Sequence, residues 1–90
     1  MQLETVTTTI RRYLIEHFQL TQHTSNDDLI LESGLVDSLG ILGVITFLEE
    51  EFQILVDDEE LLPENFASIA RMAAFVQSKL NSAHVRQTEE

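Results

Sequence analysis

The chain contains no cysteine, which excludes disulfide staples and thiolate metal sites and fits a reducing compartment. Any thiol chemistry must therefore arrive on a prosthetic group. Long apolar runs are missing as well. None approaches the ~18–20 residues needed to span a bilayer, and the polar, threonine-rich start from Met1 to Thr9 is not a signal peptide. A cytoplasmic protein with no membrane insertion is expected. Basic residues are scarce: 5 Lys and Arg stand against 16 Asp and Glu, a net charge of −11, which argues against a nucleic-acid partner. His17, His23 and His84 lack metal-ligand spacing. Asn26-Asp27-Asp28 lacks the alternating acids, mid-loop glycine and terminal glutamate of a calcium loop and reads as a turn. No metal site is expected.

What is present fits one small domain. The chain has 90 residues, 43% of them hydrophobic, enough for a modest core that hides about 60–65% of the unfolded surface. Leu3, Val6, Ile10, Tyr13, Leu14 and Phe18 recur at helical spacing and predict a first helix over residues 2–18. Thr7, Thr8 and Thr9 are mediocre helix formers, but the apolar period is 3.6 and not 2. Gln19 to Val36 shows no sustained period. Its second half carries Leu29, Ile30, Leu31, Leu35 and Val36 as apolar anchors, so a long loop packed down over the bundle is expected. Near the other end, Ser68 is a candidate N-cap for a last helix whose inward stripe is Ile69, Met72, Ala73, Val76 and Leu80. Between them, Ile54-Leu55-Val56 reads as an extended piece and Asp57 to Leu62 as a short helical turn, with Pro63 ending that turn or opening the next. Residues 1–81 form the expected domain, and the polar residues 82–90 an expected frayed tail.

The chain is organised around Gly34-Leu35-Val36-Asp37-Ser38-Leu39-Gly40. Glycine suits a tight turn or a positive φ. Asp and Ser are favoured helix N-caps, because their side-chain oxygens accept from the unpaired N–H groups of the first turn. A helical pattern follows, with Leu42, Ile45, Leu48 and Phe52 at spacings of three and four. A serine hydroxyl is thereby displayed at a helix N-terminus, where the field favours negative charge such as a phosphate.

Asp37-Ser38-Leu39, preceded by Gly34-Leu35 and followed by a helix ending Leu48-Glu49-Glu50-Glu51-Phe52, resembles the 4'-phosphopantetheine attachment site of acyl and peptidyl carrier proteins. The likeness runs from about Leu3 to Leu80 and takes in Pro63-Glu64-Asn65-Phe66. It implies an all-α fold: a small antiparallel bundle of three main helices and one short helix, with a long first loop. It implies that Ser38 carries the phosphopantetheine, that Asp37 assists recognition by a phosphopantetheinyl transferase, and that Leu39 seats the helix start. The arm's thiol would hold an acyl or aminoacyl thioester, loaded by an adenylating or acyl-loading enzyme and passed to acyl-processing enzymes. The carrier itself would be a monomer without catalytic activity.

Within that family the second helix is the recognition element. Here it departs from the fatty-acid-synthase type: Gly40 and Gly43 lie near its front and its acids wait until Glu49-Glu50-Glu51. Acids at a helix C-terminus oppose the macrodipole, which favours a binding role for Glu49 and Glu50. The two glycines point either to close packing or to a smooth front half where partly exposed Ile41 and Val44 meet apolar partner surfaces. Eight of the sixteen acids fall within residues 49–64, a field that could steer a basic partner. The form Asp-Ser-Leu-Gly resembles free-standing carriers of polyketide or nonribosomal-peptide pathways, and also the carrier of D-alanine. An aminoacyl or short acyl cargo is expected ahead of a long fatty chain. Two readings compete with the carrier. A Ser38 nucleophile elbow needs glycine two residues before and two after; Gly40 supplies one, but Val36 occupies the other place. An unmodified acidic helical adaptor is allowed by composition and opposed by the attachment motif.

Overall fold

The computed structural model describes residues 2–89, with side chains described for residues 2–81. In order along the chain come α1 (Leu3–His17), α2 (Ser38–Phe52), two 3-10 turns (Asp58–Glu60 and Pro63–Asn65) and α3 (Ile69–Glu89). Among the described residues there is no strand, and the all-α expectation holds. The expected short helix is a pair of 3-10 turns. The tail expected from residue 82 lies outside the residues whose side chains are described.

α1 buries Val6, Ile10 and Leu14, one residue per turn, against α3. Leu3 at its start is half exposed. Ser68 caps α3 as its sequence position predicts: the hydroxyl accepts from the Arg71 N–H at 3.1 Å. Ile69, Met72, Ala73 and Val76 of α3 are buried, and Leu80 packs at the margin. Phe75 is a core-edge residue whose ring meets that of Phe66 edge-on at 5.3 Å.

The long first loop is held at a few points. Leu20, Ile30 and Val36 are buried, with Leu31 and Leu35 partly so, while Leu29 points outward. The Ile30 N–H donates to Ala67 O and the Ala70 N–H to Asn26 O, both at 2.9 Å, which sews the loop to the start of α3. Asn26 also receives the Arg11 guanidinium from α1. Ser25 to Asp28 forms the expected turn: the Asp28 N–H donates to Ser25 O, and the Asp28 carboxylate accepts the Ser25 N–H.

α2 faces the core differently from its simplest sequence reading. Val44, Leu48 and Phe52 are its buried residues, flanked by partly buried Ile41 and Ile45. Leu42, one of the four residues whose spacing predicts the helix, is 58% exposed. At ~100° per residue it lies about 120° round the helix from Leu48. Val44, expected to be partly exposed, is fully buried because it stands one turn from Leu48 on the core side. Tyr13 of α1 stacks on Phe47 of α2 with ring centroids 3.9 Å apart, fastening the two helices beside that core.

Candidate functional site: a serine at the loop–helix junction

The junction is built from the turn upward. Gly34 has φ +84°, the conformation for which a glycine was expected, and its N–H closes a turn on Leu31 O at 3.2 Å. Val36 then drops into the core and bonds its N–H to Ile30 O, so the chain enters α2 from a fixed point. Asp37 is extended and acts as the N-cap: its Oδ1 accepts the Gly40 N–H at 2.7 Å. The capping work thus falls to Asp37 alone. Ser38 is the first helical residue, exposed to solvent. Its hydroxyl takes part in no hydrogen bond among the described residues, so it is free for chemistry at the positive end of the helix.

Beside it runs a groove of about 530 Å³. Ser38 and Asp37 stand on its rim, while Leu31, Val36, Ile41, Ile45 and Phe66 give it an apolar lining. Leu42 of α2 and Leu61, Leu62 and Pro63 of the 3-10 segment complete it. Leu39, next to the serine, is 80% exposed. Instead of seating the helix start, as the resemblance implies, its side chain stands in solvent.

The remaining candidate residues separate. Ile41 is half-buried and lines the groove, and Glu50 is exposed. Val44 has no surface to offer a partner. Glu49 is half-buried, and its carboxylate accepts the Val56 N–H at 2.9 Å. That hydrogen bond fastens the segment after α2 and explains an acid placed against the helix dipole. The exposed apolar residue that sequence reasoning missed is Leu42. Its signal was available: the arc through Ile41, Val44, Ile45, Leu48 and Phe52 is already complete without it.

Gly40 has a packing reason. A Cβ there would lie 2.7 Å from the Phe18 ring and 3.1 Å from the Asp37 carboxylate. Gly43 has none, since the nearest atom, the Tyr13 hydroxyl, would be 3.8 Å away. Among the described residues no group of three His, Cys, Asp or Glu could hold a metal, and no helix is long and apolar enough to cross a membrane.

A strand-free bundle that presents one unpaired serine hydroxyl at a helix start, above an apolar groove, defines a serine-displaying helical domain. It is not the strand–turn–helix of a nucleophile elbow. No protein-family model matches the chain. It is similar to aminoacyl carrier protein 2 of Bradyrhizobium diazoefficiens, 33% identical over 67 residues, which cover 70% of this chain and 75% of that protein. It is also similar to the probable acyl carrier protein PigG of a Serratia species, 35% identical over 48 residues. That second match covers 53% of this chain and spans 55% of PigG's length. The chain belongs to the acyl and aminoacyl carrier protein family.

Proposed function

We propose that Ser38 carries 4'-phosphopantetheine and that the protein holds an acyl or aminoacyl group on it as a thioester, for biosynthetic enzymes to act upon. One observation carries this reading: Asp37 takes the capping role, which leaves the Ser38 hydroxyl exposed and unpaired at the positive end of α2. The residues fit the group. A phosphodiester on Oγ would sit where the helix dipole favours an anion. The groove at its root offers apolar surface. When bound, the arm supplies the thiol that a cysteine-free chain lacks.

Attachment forms a bond from Ser38 Oγ to the phosphorus of coenzyme A's pantetheine phosphate. It breaks the pyrophosphate bond, releases adenosine 3',5'-bisphosphate, and passes the serine proton to the transferase. This chain presents the hydroxyl; the transferase performs the reaction. An aminoacyl cargo is favoured, because the relative matched over most of its length is named for that class. A polyketide or nonribosomal-peptide type of pathway accords with Asp-Ser-Leu-Gly and with the absence of acids early in α2. Exposed Leu39 and Leu42, with half-buried Ile41, supply an apolar front for partner enzymes. Glu50 and its acidic neighbours supply charge at the far end.

Intact mass after incubation with coenzyme A and a promiscuous phosphopantetheinyl transferase tests the reading. Wild type is expected to gain one phosphopantetheine and Ser38→Ala none. No gain on folded wild type would reduce Ser38 to an ordinary first-turn residue and favour an unmodified adaptor.

A further inference from the structure

Both ion pairs found among the described residues belong to Lys79. It is the chain's one lysine, placed on α3, and its ammonium lies 2.8 Å from Glu60 Oε1 and 3.8 Å from Asp57 Oδ2. These carboxylates belong to the segment that forms one wall of the groove. That segment is tied down in an unusual way. From 57 to 65 no residue is buried, and the buried anchors, Ile54 and Phe66, lie outside it at either end. Its fastenings are polar and converge on Glu60. The Glu60 carboxylate accepts the Asp57 N–H at 2.9 Å and the Lys79 ammonium at 2.8 Å, while its carbonyl accepts the Asn65 amide at 2.8 Å. Of these bonds, the one from Lys79 reaches α3, whose Met72 and Val76 are fixed in the core.

A segment with no fully buried residue opens locally at low free energy, so its polar ties weigh heavily in how often it does so. A charge-assisted hydrogen bond at 22% and 29% side-chain exposure is strong enough to matter here. Leu61, Leu62 and Pro63 stand on this strap and face Ser38, Ile41 and Leu42 across the groove. We propose that Lys79 is a positioning residue. By latching Glu60 and Asp57 to α3, it holds the Leu61–Leu62 wall against the groove beside Ser38 and so sets how firmly the groove grips an apolar group. Use of the groove by a group attached to Ser38 rests on the carrier reading; the latch does not.

The test uses the full, unmodified chain, so its outcome is independent of phosphopantetheine loading. Amide hydrogen exchange is compared for wild type, Lys79→Ala and Lys79→Arg, together with binding of Nile red, a neutral apolar dye. In Lys79→Ala, the amides of Glu60, Leu61 and Leu62 are expected to exchange on the order of tenfold faster, as suits loss of one partly exposed charged hydrogen bond. Amides of Val44 to Leu48 are expected to hold their wild-type rates, and dye binding to weaken severalfold. Lys79→Arg is expected to restore both, and ~1 M salt, with a Debye length of about 3 Å, to mimic the alanine variant in wild type. Strap amides unprotected in wild type or unchanged in Lys79→Ala would overturn the latch. Equal acceleration in α2 would reduce Lys79 to a general stabiliser, and faster strap exchange with unchanged dye binding would separate the strap from the groove; either result overturns the proposal.

Discussion

At the scale of single residues, Asp37 and Ser38 divide two tasks that sequence alone could assign to either. Asp37 satisfies the Gly40 N–H, and Ser38 keeps its hydroxyl free. Asp37→Ala is expected to cost about 0.5–2 kcal/mol of stability through loss of the cap, and Asp37→Asn far less, since asparagine caps as well. Chemical denaturation measures both. If the transferase reads the carboxylate, Asp37→Asn will also slow the loading of Ser38 while leaving the fold untouched. The two α2 glycines make a second pair. Gly43→Ala is expected to stabilise the protein by up to about 1 kcal/mol, since helix propensity improves and the new methyl makes only an ordinary contact with the Tyr13 hydroxyl, 3.8 Å away. Gly40→Ala is expected to destabilise it by roughly 1 kcal/mol, because pressing on Phe18 and on the capping carboxylate outweighs the same gain. Thermal melts of the two variants should shift in opposite directions.

At the scale of the element, α2 is two surfaces on one cylinder. Val44, Leu48 and Phe52 serve the core, and Leu39 and Leu42 serve the outside. Leu48→Ala is expected to cost about 2–5 kcal/mol, the transfer term plus the cavity left behind. Leu42→Ala should stay within about 0.5 kcal/mol of wild type. Denaturant titrations give these values, and the rate of transferase or ligase loading gives the other half of the comparison. If α2 presents its exposed apolar side to partners, Leu42→Ala will load more slowly at unchanged stability. Its pattern was legible in outline: helix type and start follow from Asp37 and the apolar spacing, and that spacing closes at Phe52. Which of its apolar residues face inward was not legible, because an isoleucine- and leucine-rich helix carries more of them than one buried arc holds, so several stripes fit the same letters.

For the whole molecule, charge is the governing feature. At −11 the chain repels itself, and lowering the pH relieves that repulsion. One contribution runs the other way. Glu60 titrates below its ordinary value of 4.5, first because Lys79 donates to it, then because the Asp57 N–H does so, with burial opposing in part. A carboxylate whose folded pKa is depressed stabilises the fold above its unfolded value and loses that contribution as pH falls through the folded value. The stabilisation from the Lys79–Glu60 tie is therefore full above 4.5 and declines as the pH falls from there through the lower folded value. Melting temperatures across that range are expected to fall more for wild type than for Lys79→Ala, which lacks most of this linkage. Equal slopes would show that the pair contributes nothing to the acid branch.

Legible in the sequence were the three main helices, the Ser68 cap, and a junction where Asp37 and Ser38 were both cap candidates. Those features rest on local chemistry: the period of apolar residues, the oxygen acceptors of Asp37 and Ser68, the freedom of Gly34. Packing chose which side of α2 faces inward, set the Phe18 ring against Gly40, and brought the Glu49 carboxylate to the Val56 N–H. It also decided that Lys79 of α3 meets Glu60. Each of these joins residues far apart in the chain or compares two helix faces of similar hydrophobicity. Such choices are made by packing against a distant surface, on which local sequence carries no information.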